Sequence, residues 1–146
     1  MKKLRTFLSL NKQTKKLFIE SYFYLAWARI LKILPFSKMS SSLGEQMKET
    51  TFNITEENRK ILSDVSQSIY RMSRYTFWES ECLVKAIAAM KMLERRQIES
   101  TLYLGTAKDK SGKLVAHAWL RSGPYYITGK ETMDLFTVVS KFAKHV

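Results

Sequence analysis

Cysteine is nearly absent from this chain: Cys82 stands alone among 146 residues, beside only two histidines. One thiol cannot close an internal disulfide, and a four-ligand zinc site would have only that cysteine and two histidines to draw on. Neither a disulfide framework nor a metal site is expected. A single thiol suits a reducing compartment, so the expected location is the cytoplasm. A long apolar run is lacking too. The most apolar window, LFIESYFYLAWARILKILPF, carries Glu20, Arg29 and Lys32, whereas a membrane span needs about 20 largely uncharged residues. It reads as an amphipathic helix. The opening MKKLRTFLSL places lysines before an apolar stretch, but that stretch is too short for a signal peptide and NKQTKK follows without a small-residue cleavage site. There is no internal repeat and no low-complexity tract.

Acids are the other deficit: 13 Asp and Glu face 25 Lys and Arg, a net charge of +12. Much of the excess is N-terminal, where Lys2, Lys3, Arg5, Lys12, Lys15, Lys16, Arg29, Lys32 and Lys38 are opposed by Glu20. Such a surface attracts nucleic acid, anionic lipid or an acidic peptide or protein, or is simply a solvated basic face.

What remains is ordinary for a folded protein. An apolar fraction of 45% and a charged fraction of 26% exclude wholesale disorder, and the length supports one sizeable core. Residues 1–75 read as helical. Phe18, Tyr22, Leu25, Ile30 and Leu34 recur at helical spacing from Lys16 to Leu34, and Pro35 ends the run. SKMSSSLG reads as a turn-rich connector. Thr55 with Asn58 makes an imperfect capping box, Glu56 and Glu57 favour the positive end of a helix dipole, and Ile61, Val65, Ile69 and Met72 form the buried stripe that follows.

From residue 76 the pattern changes. Ser80 is placed to cap a helix from Glu81 to about Arg96, with Leu83, Ile87, Met90 and Leu93 turned to the core. STLYLGT, the alternating LVAHAWLR, YYITG and FTVVSKF then read as strands, with AKDKSGK and SGP as turns. The expected fold is α+β: an N-terminal helical region over 1–75, then a helix and an antiparallel meander over 76–146, the two together forming one compact unit.

Cys82 is read in two ways. A buried cysteine commonly acts as a small hydrophobe. Yet Cys82 falls in the first turn of its helix, where unpaired N–H groups favour a thiolate and can hold a developing oxyanion. Trp78, one turn earlier, could wall the site. Of the histidines, His145 lies in the tail, whereas His117 sits mid-strand between Ala116 and Ala118, which leave its imidazole accessible. A Cys/His pair is therefore chemically reasonable.

CLVKAIAAMKMLERRQIESTLYLGT followed by AHAWLRSG resembles the small transglutaminase-like cysteine proteases of lasso peptide biosynthesis, and WARILKILPF with SSSLG resembles their leading helices. The resemblance runs over nearly the whole chain and implies a transglutaminase/papain-like helix-plus-sheet fold and removal of a leader from a ribosomal precursor peptide. It assigns Cys82 as nucleophile and His117 as general base, with no cofactor and no metal. Such enzymes place an Asp about a dozen residues after the histidine, but this chain has Thr128 and Gly129 there, with Glu131 and Asp134 slightly later. Either acid reaches back, a hydroxyl such as that of Thr128 or a backbone carbonyl orients the ring, or the site is a dyad. Trp78, Trp119 and Tyr103 are candidates to line a substrate pocket. The resemblance is to the split form without a leader-recognition domain, which implies a separate leader-recognition protein, docking on the basic region, and an ATP-dependent lactam synthetase acting on the product. The competing readings are a basic nucleic-acid-binding module, for which no recognisable motif is present, another Cys/His acyl-transfer enzyme, and an inactive scaffold.

Overall fold

The structure is a computed structural model, and it describes Arg5 and residues 8–76 and 81–146. Asn11 starts the first long helix, α1 (Lys12–Leu31), by accepting the Thr14 N–H at 2.7 Å. This is earlier than the apolar spacing suggests. The buried face is also rotated from the expected one. Ser21, Leu25 and Ala28 are buried and Leu17 and Leu31 pack beside them, whereas Ile30 and Leu34 are exposed. Ser21 can lie there because its hydroxyl is spent on the Leu17 carbonyl, 2.8 Å away.

Pro35 stops one helix and opens another. The serine-rich connector is a short helix, α2 (Phe36–Ser41), with Met39 buried. The hydroxyls of Ser40, Ser41 and Ser42 each bond back to the carbonyl three residues earlier, which makes helix of a stretch whose composition suggests turn. A two-residue strand, β1 (Glu45–Gln46), follows. The next helix, α3 (Glu56–Ser73), is capped by Thr55, which accepts the Asn58 N–H at 3.3 Å. Val65 and Ile69 are buried with Leu62 and Ser68, and Ile61 and Met72 flank them.

The central helix is α4 (Cys82–Arg95). Val84, Ala86, Ile87, Ala88, Ala89, Met90, Met92 and Leu93 are all buried, because α1 and α3 pack on one side and the sheet on the other. The cap position falls at Glu81, one residue after the Ser80 expected there, and Ser80 itself lies outside the described residues.

Strands β2 (Ser100–Lys108), β3 (Leu114–Ser122), β4 (Tyr125–Thr128) and β5 (Thr137–Lys144) complete an antiparallel sheet of order β1-β5-β2-β3-β4. It differs from a plain meander. A 3-10 helix (Lys130–Leu135) carries the chain back so that β5 pairs with β2, placing Ala143 opposite Thr101 and Phe142 opposite Leu102. One core joins both halves of the sequence: Leu25, Leu62, Val65 and Ile69 meet the buried residues of α4 and Leu102, Ala118, Leu120, Ile127 and Phe142 of the sheet.

Strand alternation sends Tyr103, Trp119 and Arg121 to the face away from α4. The Arg121 guanidinium is buried there, donating to the Tyr103 hydroxyl (2.9 Å) and to the carbonyls of Thr50, Thr51 and Gly123, with the Phe52 ring 3.7 Å away. Those bonds tie the segment 50–52 across the sheet.

Candidate active site

Cys82 is the first residue of α4 and is half-buried against the core. The N–H groups of a helix's first turn have no intrahelical acceptors. The Glu81 side chain does not cap them and is paired with Lys32 at 3.1 Å. No acid lies in the first turn, so nothing on α4 itself opposes negative charge beside the thiol. A helix N-terminus of this kind favours an anion.

His117 lies on β3, opposite Gly105 of β2. The helix that carries Cys82, α4, packs against both β2 and β3. Alternation nonetheless turns His117 to the face of Trp119, while Ala118 enters the core beneath α4. No hydrogen bond joins the Cys82 thiol to His117 among the described residues.

The imidazole is seated by aromatics. Its centroid is 5.6 Å from the Trp119 ring and 5.0 Å from that of Phe136, and Trp119 stacks in turn on Tyr103 at 5.7 Å. Gly105 makes room for this stack, since a Cβ there would come within 2.9 Å of both the Trp119 indole and Phe136. Trp119 and Tyr103 are 4% and 7% exposed, so they form the floor under the ring. The Tyr103 hydroxyl is committed to Glu49 at 2.7 Å, and burial, opposed by Arg121 and aided by that carboxylate, pushes its pKa to about 12. Trp78 lies outside the described residues.

The ring's polar partner is a backbone carbonyl: Nε2 lies 2.8 Å from Gly129 O. A carbonyl only accepts, so Nε2 carries the proton, and in the neutral ring Nδ1 is left with the lone pair that a base requires. Gly129 adopts φ 77°, and a Cβ there would lie 2.5 Å from the Ala118 carbonyl and 2.7 Å from Trp119 Cβ. The position cannot hold an aspartate side chain in this backbone.

The other candidates for third member sit elsewhere. The Thr128 hydroxyl is buried and has no hydrogen-bond partner among the described residues. Asp134 is exposed on the 3-10 helix, and no hydrogen bond joins it or Glu131 to the ring among the described residues. Glu131 instead accepts from the Tyr70 hydroxyl at 3.1 Å, and that same hydroxyl accepts the Gly129 N–H at 2.9 Å. Burial raises the Tyr70 phenol above its ordinary range; the Gly129 N–H works against this and the Glu131 carboxylate adds to it. The hydroxyl thus stays a proton donor at neutral pH. Sequence reading missed Tyr70, which comes from α3, 47 residues before His117, with no local pattern to mark it.

Two open grooves, of about 630 Å³ between α1 and α3 and about 340 Å³ beside Thr51, Ile54 and Gln97, include neither Cys82 nor His117. Among the described residues, no group of three or more His, Cys, Asp or Glu side chains is placed to hold a metal ion, and no helix is long and apolar enough to cross a membrane.

A half-buried cysteine opening a central helix, followed by a sheet strand bearing histidine, is the outline of a thiol-dependent acyl-transfer fold. Residues 23–141 match the transglutaminase-like superfamily, and the chain belongs to it. That superfamily works through cysteine-based peptidase and acyl-transfer chemistry. No curated protein and no solved structure matches the chain.

Proposed function

We propose that this chain is a cysteine peptidase that removes the leader from a ribosomally made lasso peptide precursor. The observation that carries the chemistry is the ring of His117, whose Nε2 is held by Gly129 O so that Nδ1 is the basic nitrogen, on a strand that packs against α4, where Cys82 opens the helix without a side-chain cap from Glu81. His117 takes the thiol proton and Cys82 attacks the scissile carbonyl. The first-turn N–H groups of α4 stabilise the oxyanion, and the leaving amine takes the proton from the imidazolium. Water then hydrolyses the thioester. In the resting protein the ring lies with Trp119 on the sheet face away from α4, so the reaction requires thiol and ring to be brought together when substrate binds.

The restriction to a lasso precursor rests on the motifs CLVKAIAAMKMLERRQIESTLYLGT and AHAWLRSG. A separate leader-recognition protein delivers the substrate, and a lactam synthetase uses the freed core peptide. Docking on the N-terminal region is supported by its charge and by α1, where Ile19, Phe23 and Ile30 are exposed beside Lys12 and Lys16.

Mass spectrometry of precursor incubated with the peptidase and its recognition protein tests this. Wild type should give one cut at the leader–core junction. Cys82→Ala should give none, and His117→Ala should slow the cut by about 10²–10⁴. A crosslinked amine in place of two hydrolysed peptides would identify a transglutaminase instead, and undiminished cutting by Cys82→Ala would refute the nucleophile.

A further inference from the structure

We propose that Tyr70 is the positioning residue for His117, acting through the backbone of Gly129, with Glu131 seated behind it. This inference rests on His117 being the base of the reaction proposed above. Tyr70 projects from α3, and one turn earlier on the same helix Ser66 donates to the Ile127 carbonyl at 2.6 Å. The two side chains grip the end of β4 and the residue after it, so α3 fixes the stretch 127–129 at two points.

The bonds form a chain with a consistent direction. His117 Nε2–H donates to Gly129 O (2.8 Å), Gly129 N–H donates to Tyr70 Oη (2.9 Å), and Tyr70 O–H donates to the Glu131 carboxylate (3.1 Å). The phenol is used once as acceptor and once as donor, which is the most a hydroxyl needs to be satisfied here. Gly129's N–H and C=O belong to different peptide groups on either side of its Cα, so the phenol does not polarise the carbonyl directly; it fixes where the carbonyl points. That matters at this residue because a glycine at φ 77° has no side chain to hold it. Lys85, one turn beyond Cys82 on α4, places its ammonium 5.0 Å from the centroid of the Tyr70 ring, so the same tyrosine touches the helix that carries the thiol. The acid at 131 thus enters the site two steps removed, in place of a carboxylate on the ring.

The test is ¹⁵N NMR of the imidazoles in the full chain, with His145→Gln to assign the two histidines, alongside cleavage kinetics. In wild type at neutral pH His117 should be the Nε2–H tautomer. Tyr70→Phe keeps the ring and removes the bond to Gly129. It should leave His117 a mixture of tautomers and lower kcat about three- to tenfold, the scale of one hydrogen bond, with KM unchanged. Glu131→Gln, at an exposed position that does not endanger folding, should shift the tautomers the same way by less. A His117 that keeps a pure Nε2–H tautomer and full kcat in both variants overturns the proposal. The tautomer is read without substrate. A shift in Tyr70→Phe therefore supports the positioning role even if no precursor is cut, in which case the peptidase reading alone fails.

Discussion

At the residue scale, the decisive feature is a side chain that is missing. A related enzyme's aspartate would fall at Thr128 or Gly129, and at Gly129 the backbone excludes one: φ is 77° and a Cβ there meets the Ala118 carbonyl and Trp119. Installing the acid should therefore harm the protein. Gly129→Asp should cost at least about 2 kcal/mol in urea denaturation, from strain at positive φ and from overpacking, and should not speed cleavage. A variant as stable as wild type with faster turnover would mean that the carbonyl is a poor substitute for an acid that the fold can accept. Cys82 and His117 were legible in the sequence as candidates because each is nearly the only residue of its kind. The ring's true contact was legible only as one of several options, since a backbone carbonyl leaves no mark in residue identity. Tyr70 was not legible at all, because its role depends on how α3 lies against β4.

At the scale of elements, hydrophobic period found each long helix but not always its face. On α1 the core contact runs through Ser21 and Ala28, which carry little apolar signal, while bulkier Ile19, Phe23 and Ile30 face solvent. The route of β5 to the far side of β2 was likewise hidden, because pairing partners are set by the crossover and not by strand composition. The elements are also tied by charge. Glu20 of α1 holds Arg95 and Arg96 at the end of α4. Glu94 of α4 binds Lys91 at 2.7 Å and Lys144 of β5 at 3.1 Å. Burial works to raise the Glu94 pKa, but the bonds and charges of the two lysines outweigh it and lower it below 4.5. A carboxylate with a depressed folded-state pKa stabilises above its unfolded value and loses that contribution as pH falls through the folded one. Glu94→Gln should thus be less stable than wild type at pH 7, by under about 1 kcal/mol for a half-buried group whose lysine partners lie at the surface. The gap in Tm should close as pH drops below about 4.5. A gap that persists at pH 3 would assign the effect to packing.

At the scale of the whole molecule, the α+β class was readable from the change in period near residue 76, and a single core from the length. The core that joins α1 and α3 to α4 and the sheet explains why the family match spans both halves of the chain. It also gives the helical region a part in the chemistry, since α3 supplies the tyrosine that holds the turn beneath His117. In the proposed reaction the chain's one thiol does the cutting, and because the sequence holds a single cysteine its modification is simple to follow. Native protein would be treated with iodoacetamide for increasing times. At each time the alkylated fraction would be read by intact mass, and cleavage of the precursor assayed with the recognition protein present. Activity should fall in direct proportion to the fraction of Cys82 alkylated and reach background when modification is complete. Fully alkylated protein that still cuts at the wild-type rate would show that Cys82 is not the nucleophile.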